Sequence, residues 1–164
     1  MVAGMTLTMT RQLGIAARGA VAGAVASSAM GLVFLAARRA GIVSKVAPEE
    51  ITETALHTVG IDAPETAENA ASTMSHIAYG AASGALYGLL QPHLPVGPVS
   101  GGLAFAGLLM AASYEGWVPA VGALPPLHVQ TPGGRWTLIV GHAVYGALLG
   151  QFAPVRPAMG KDQR

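Results

Sequence analysis

The chain contains no cysteine and few charged or aromatic residues. Only 10% of its 164 residues are charged and 5% are aromatic, whereas a typical soluble domain is about 25% charged. The absence of cysteine excludes disulfides, zinc ribbons and thiol catalysis. The net charge is +1 and no more than two Lys or Arg residues are adjacent, so there is no basic footprint for nucleic acid.

Small apolar residues are abundant instead. The chain is 52% hydrophobic and contains 22 glycines, and much of the apolar mass is alanine. Membrane helices use small residues to pack closely, because lipid supplies no hydrophobic force that drives helices together. The composition therefore favours a membrane protein over a soluble domain.

Three long stretches of the sequence lack Asp, Glu, Lys and Arg, at residues 19–37, 69–114 and 136–155. A helix rising ~1.5 Å per residue needs about 20 mainly apolar residues to cross a bilayer core of about 30 Å. The middle stretch is long enough for two helices, and the prolines between Pro92 and Pro98 predict a break between them. The sequence thus predicts an all-α membrane four-helix bundle, with spans at 19–37, 72–90, 99–118 and 136–153.

Residues 38–71 are the one sizeable segment outside the predicted spans, and they hold six of the eight acidic residues. Pro48, followed by Glu49 and Glu50, predicts the start of a short helix there. This acidic, extramembrane loop is interpreted either as a solvated connection or as a docking surface, and the sequence favours the connection.

The predicted topology places both termini of a single membrane domain, residues 1–164, on one side of the bilayer. That side carries five Lys and Arg residues against four on the other, so we expect cytoplasmic termini from the positive-inside rule. The five are Arg11, Arg18, Arg156, Lys161 and Arg164.

A pattern of five residues occurs in both the second and the fourth predicted span. The order His-x-x-Tyr-Gly-Ala-x-x-Gly begins at His76 and again at His142, which predicts a helical hairpin duplicated in tandem, its copies parallel in the membrane. The i, i+4 spacing places each histidine on a ridge of glycines, and the first span has a similar ridge. We expect these ridges to be the helix-packing seams; they comprise Gly19, Gly23, Ser27, Gly31, Gly80, Gly84, Gly88, Gly146 and Gly150.

The two histidines are the candidate site, and three interpretations remain open. A neutral imidazole can bond a neighbouring helix and hold the bundle together, which is the interpretation that the sequence favours. Alternatively, His76 and His142 ligate a haem, a chlorin or a metal, or they conduct protons or a small solute with Tyr79 and Tyr145.

Glu115 is the only carboxylate close to a predicted span. Trp117 follows it, which is typical of an aromatic belt at the membrane surface. Arg135 is expected at the same end of the bundle and is predicted to pair with Glu115. No nucleophile elbow, phosphate-binding loop, dinucleotide fingerprint or carboxylate pair occurs, so the sequence favours a non-enzymatic protein.

These residues resemble an uncharacterised group of bacterial inner-membrane proteins of the YagU-like type. The resemblance rests on the run at 76–88, the stretches at 113–120 and 123–126, and the Gly141-His142 pair, and it covers roughly residues 15–153. It implies a bacterial inner-membrane location and no agreed activity. That family usually has an apolar residue where Glu115 stands, so no family-wide role for the acid is implied.

The combined expectation is a structural or accessory integral membrane protein without enzymatic activity. Its partners are the lipid bilayer and either a larger membrane complex or further copies of the same chain. The haem or chlorin site and the solute or proton conduit are the alternatives.

Overall fold

The computed structural model describes residues 2–153, with side-chain surroundings from residue 9 onward. This part of the chain is all-α and contains no β-strand. Met1 and residues 154–164 lie outside the description, including Arg156, Lys161 and Arg164 of the predicted topology. The helices are α1 (Val2–Arg39), α2 (Ala47–Thr58), α3 (Glu65–Leu90), α4 (Pro98–Ala112), the single turn α5 (Val118–Ala120) and α6 (Pro132–Phe152).

The helices begin and end at residues whose backbone chemistry interrupts the hydrogen-bond ladder. Pro64 precedes α3 and Pro98 opens α4, positions where the missing proline N–H costs nothing. Gly41 follows α1 with a φ of 70°, and the N–H of Ile42 donates to the carbonyl of Ala37. This is the left-handed glycine cap that ends many helices.

The third predicted span, 99–118, is not one continuous α-helix. α4 stops at Ala112, and residues Ser113–Trp117 form a π-helical turn. Within that turn Gly116 has φ −116° and ψ −106°, which is not helical. The extra residue of a π turn shifts the side chains that follow it, and such turns occur frequently at functional sites.

Helix α1 packs antiparallel against α3 through glycines on both helices. Gly23 lies against the carbonyl group of Gly80, and Gly19 lies against that of Gly84. A Cβ atom added at Gly19, Gly23 or Gly84 would collide with the backbone of the other helix, and one added at Gly80 would collide with the side chain of Ser27. The helices therefore approach as closely as their backbones allow, as predicted for a small-residue seam.

A second seam joins α4 and α6 in the same manner. Gly102 lies against the carbonyl group of Gly146, and Gly150 lies against that of Pro98. Helices α1 and α6 also contact each other, where Met30 and Phe34 pack on Gly141. The two pairs are thereby joined into one bundle, while the tandem duplication of a hairpin stays a prediction.

Gly31 was predicted to extend the seam of α1, and this prediction is wrong. No atom of another residue lies within 4 Å of the position that its Cβ would occupy. Crossing helices approach most closely over a few turns, and the close backbone contact between α1 and α3 ends at Ser27, beyond which the ring of Phe34 packs on that of His76. The sequence spacing places Gly31 on the right face of α1 but says nothing about where α3 leaves that face.

One helical segment among the described residues is long and apolar enough to cross a membrane. It runs from Met9 to Arg39, covers 31 residues and contains a stretch of 18 residues with a mean hydropathy of 2.0. α4 has 15 residues before the π turn interrupts it. The structure thus shows a helical protein with one candidate membrane span.

The glycine seam makes a testable prediction about stability. Gly23→Ala places a methyl group against the backbone of α3, so we expect it to lower the free energy of unfolding by about 1–3 kcal/mol. Gly31→Ala is the matched control on the same helix: it meets open space and should be neutral or stabilise by up to about 1 kcal/mol. Thermal unfolding in one detergent measures both, and equal losses would contradict the seam.

Candidate functional site

A cavity of about 220 Å³ opens where the two helix pairs diverge. Both histidines of the repeated pattern line it, together with Tyr79 and Tyr145. The structure thus brings together the four residues that the sequence singled out as one face. We call it the histidine cavity; its other walls include Met30, Ile51, Leu109, Trp117 and Val118.

His142 is held in one orientation by its own helix. Its side chain is 7% exposed, and Nδ1 lies 2.9 Å from the carbonyl oxygen of Leu138 one turn earlier. Because a carbonyl only accepts, Nδ1 carries the proton, and Nε2 of the neutral ring keeps its lone pair. The ring of Tyr114 stands edge-on to the imidazole, with centroids 5.7 Å apart.

His76 differs from His142 in its surroundings. Its Nε2 atom is buried and has no hydrogen-bond partner among the described residues. Its ring lies 5.8 Å from that of Phe34, and its backbone carbonyl accepts a hydrogen bond of 3.0 Å from Ser27 Oγ. An unpartnered nitrogen is uncommon in a protein interior, because each one costs free energy that a partner would recover.

The two tyrosines connect helices rather than the histidines. The hydroxyl of Tyr145 donates to the carbonyl oxygen of Gly80 at 2.9 Å, a buried bond between α6 and α3. The hydroxyl of Tyr79 lies 3.3 Å from Ser113 Oγ in the π turn. In the part of the chain that the structure describes, these bonds do not form the continuous His–Tyr chain that a proton relay needs.

Helix α2 forms the roof of the histidine cavity. Pro48, Ile51 and Thr52 line the cavity from above, and Ile51 packs against the buried core. The acidic segment is therefore more than the solvated connection that the sequence favoured. The sequence predicted a short helix here from Pro48 and the acids that follow it, but not the cavity that this helix covers.

Two ion pairs join α2 to the end of α1 and the loop after it. Arg38 Nη1 lies 2.6 Å from Glu49 Oε1, and Lys45 Nζ lies 2.6 Å from Glu53 Oε2. The hydrogen bond and charge of Glu53 raise the pKa of Lys45, and Lys45 lowers the pKa of Glu53 in return. Both pairs are exposed, so each contributes little to stability.

Glu115 does not pair with Arg135, so that prediction is wrong. The Glu115 carboxylate accepts from the backbone N–H of His128 at 3.1 Å and lies 2.8 Å from its Nδ1 atom. Arg135 instead donates to the carbonyl oxygens of His128 and Gln130. A short 3-10 turn, Leu127–Val129, lies between the two charges. Together these bonds fasten the π turn to the loop before α6.

Sequence reasoning missed several residues of the site. Tyr114 and Trp117 were interpreted as part of an aromatic belt, Ser113 entered only through the family resemblance, and Thr52 was placed in an exposed loop. A π turn leaves no recognisable signal in a single sequence, so the burial of Ser113 and Tyr114 was not predictable.

The residues present set limits on a cofactor. No group of three or more His, Cys, Asp or Glu side chains suited to a metal ion occurs among the described residues. The cavity volume of about 220 Å³ is below the range of roughly 300–1,000 Å³ for pockets that take drug-sized ligands. A haem or chlorin is larger than such ligands, so the two histidines fit a smaller molecule better than a macrocycle.

Comparison of the chain with protein-family models, curated proteins and solved structures found no match. The resemblance to the YagU-like group therefore stays a prediction.

The bond from Tyr145 to Gly80 gives a second testable prediction. Tyr145→Phe removes a buried donor and leaves the ring in place, so we expect a loss of about 1 kcal/mol in the free energy of unfolding. Tyr79→Phe is the matched control, because its 3.3 Å contact is half-exposed and its removal should cost less. Thermal unfolding of both variants measures the difference. A larger loss for Tyr79→Phe would contradict this account.

Glu50 makes the docking of α2 sensitive to pH. Desolvation raises the pKa of Glu50 above its ordinary value of 4.5, so ionised Glu50 opposes docking. Its contribution to stability is present below pH 4.5 and is lost as pH rises through the elevated folded-state pKa. We therefore expect Glu50→Gln to slow amide hydrogen exchange in α2 at pH 7. The exposed Glu65→Gln is the control, and unchanged exchange in Glu50→Gln would refute the prediction.

Proposed function

We propose that this chain is a non-enzymatic integral membrane protein that crosses the bilayer four times and holds a small ligand in the histidine cavity. The observation that carries the proposal is the distribution of residues between the inside and the outside of the bundle. Small and polar residues lie inside together with apolar residues such as Phe34 and Leu149, while many large apolar side chains lie outside. A soluble helical protein rarely exposes so much apolar surface to water.

The outward faces of the helices are rich in large apolar side chains. Leu32 is 67% exposed and Leu108 is 71% exposed, although both lie in the middle of apolar helices. A soluble protein rarely leaves a continuous apolar surface of this extent uncovered. The other exposed apolar residues on α1, α3, α4 and α6 include Val21, Val25, Leu86, Leu103 and Val140.

The interior supports the same conclusion. Ser27, Ser113 and His142 are among the buried residues, at 1%, 5% and 7% exposure. Their polar atoms bond mainly to helix backbone, as in the contact from Ser27 Oγ to the carbonyl of His76. Polar side chains inside a membrane bundle face its interior and find partners there.

The end of the bundle beneath α2 has the features of a membrane surface. Trp117 and Trp136 are 43% and 63% exposed there, and tryptophan is enriched at the boundary between lipid and water. The charged residues of α2 and the loop containing His128 lie at the same end. The histidine cavity would then open near one face of the membrane, within reach of molecules dissolved in lipid.

The alternative functions receive less support from the geometry. The cavity volume counts against a haem or chlorin between the histidines. The bonds of Tyr79 and Tyr145 to other helices count against a proton relay. A role as an accessory subunit of a larger complex, located in a bacterial inner membrane, is compatible with the proposal and rests on the sequence alone.

Membrane topology tests this proposal directly, because the chain has no native cysteine. Single variants Val59→Cys and Val96→Cys place a thiol after α2 and in the loop between α3 and α4, at positions that are 67% and 48% exposed. If α3 crosses the bilayer, a membrane-impermeant maleimide added to inside-out or right-side-out vesicles will label the two variants from opposite sides.

The control for vesicle integrity is labelling of both variants after detergent is added. Labelling of both positions from the same side in intact vesicles would overturn the four-span proposal, because α3 would then not cross the bilayer.

A further inference from the structure

We propose that the histidine cavity selects an uncharged, ring-sized molecule that carries one hydroxyl group, a simple phenol or alcohol. This inference rests on the proposed function, because it presupposes that the cavity binds a ligand. Four observations support it: the volume of the cavity, the absence of charge on its walls, the hydrogen-bonding groups on one side, and a hydroxyl-lined mouth.

The volume limits the ligand to about one ring with a short substituent. An apolar cavity of ~150 Å³ is large enough to bind benzene. The histidine cavity has about 220 Å³, which by proportion admits roughly nine or ten non-hydrogen atoms. Its walls of Met30, Leu109 and Val118 provide the apolar contact that a ring of this size requires.

The walls of the cavity contain no Asp, Glu, Lys or Arg among the described residues. Of the charges on or near the roof helix, Arg38 pairs with Glu49 and Lys45 pairs with Glu53, and Glu50 lines a different cavity. A carboxylate or an ammonium group would lose its hydration on entering and gain no counter-ion, which is costly. The cavity therefore favours a neutral ligand.

The polar groups of the cavity lie mainly on the side formed by α3 and the π turn. The ring of His76 belongs to this wall, and its Nε2 atom has no protein partner. One turn further, the hydroxyls of Tyr79 and Ser113 share only a long contact of 3.3 Å. A hydroxyl group both donates and accepts, so it can pair with either of these hydroxyls. It can also pair with the imidazole in either tautomer once the ring turns the buried Nε2 atom toward the cavity. A carbonyl group can only accept.

The mouth of the cavity lies between the roof helix and α3. Thr52 and Ser75 face each other across it, with 3.3 Å between Oγ1 and Oγ, and both also line the cavity. Such a contact is weak enough to open without unfolding either helix. It gives a ligand hydroxyl polar partners on the way in.

Ligand binding to the full-length protein in phosphatidylcholine nanodiscs tests the proposal. The Trp136→Phe variant leaves Trp117, on the cavity wall, as the sole tryptophan and fluorescence reporter. The probes are 4-propylphenol, propylbenzene and 4-methylbenzoate, which are matched in size and differ in the polar group that they carry. We expect saturable binding of 4-propylphenol, binding of propylbenzene weaker by about 5- to 10-fold, the worth of one neutral hydrogen bond, and no saturable response to the benzoate.

Two variants make the assignment specific. In Trp117→Phe the remaining tryptophan, Trp136, faces outward and its fluorescence reports only partition of the probes into lipid. This signal is used to correct the fluorescence change of Trp117 for probe dissolved in the lipid. The second variant, His76→Phe, is made in the Trp136→Phe background. It keeps an aromatic ring at this position but removes the ring nitrogens, so the affinity ratio of 4-propylphenol to propylbenzene should fall to below about twofold. Retained propylbenzene binding shows that this variant is folded.

Each outcome decides a different claim. Equal affinity for 4-propylphenol and propylbenzene in the parent protein would overturn the hydroxyl preference while leaving the ligand cavity intact. Saturable binding of the benzoate would overturn the requirement for a neutral ligand. No saturable binding of any probe would overturn both the ligand class and the proposed ligand-holding function, while the cysteine-labelling result would still decide the topology.

Discussion

The close approach of helix backbones at glycine is the constraint on which the rest of the structure depends. Gly23 on α1 and Gly80 on α3 leave no room for a side chain between them, and Gly102 and Gly146 do the same between α4 and α6. Contacts this close gain dispersion energy over long stretches of backbone, which matters most where lipid offers no hydrophobic drive. They also fix which residues of each helix lie at the crossing point with its partner.

The crossing points in turn determine where the bundle opens. Beyond Ser27 the close glycine contacts end, and larger side chains such as Phe34 and His76 fill only part of the space between the helices. His76 and His142 lie at this level because each occurs four residues before a seam glycine, Gly80 or Gly146. The four-residue spacing that aligns the seam glycines therefore also places both imidazoles on the wall of one cavity. The tyrosines close the sides of this space by bonding across helices.

The two parts of the chain that complete the cavity are irregular or polar segments. The π turn buries Tyr114 and places Trp117 at the edge of the cavity, and Glu115 anchors that turn to the loop around His128. Helix α2 covers the opening with its apolar side and leaves its acids outside, where two ion pairs hold it. The helices below the cavity are packed closely at glycine, whereas α2 above it is held by two exposed ion pairs. This arrangement suits a site that a small molecule enters and leaves.

The sequence by itself determined the all-α class, the breaks at proline, the short helix after Pro48 and the seam glycines other than Gly31. These follow from backbone chemistry and from the 3.6-residue period, which are local properties. Only the tertiary structure decided that Gly31 faces open space, that Glu115 binds His128 rather than Arg135, and that α2 covers the histidines. The spacing of residues in the sequence shows which of them share one face of a helix. The crossing of the helices and the π turn decide which residues of other segments that face contacts.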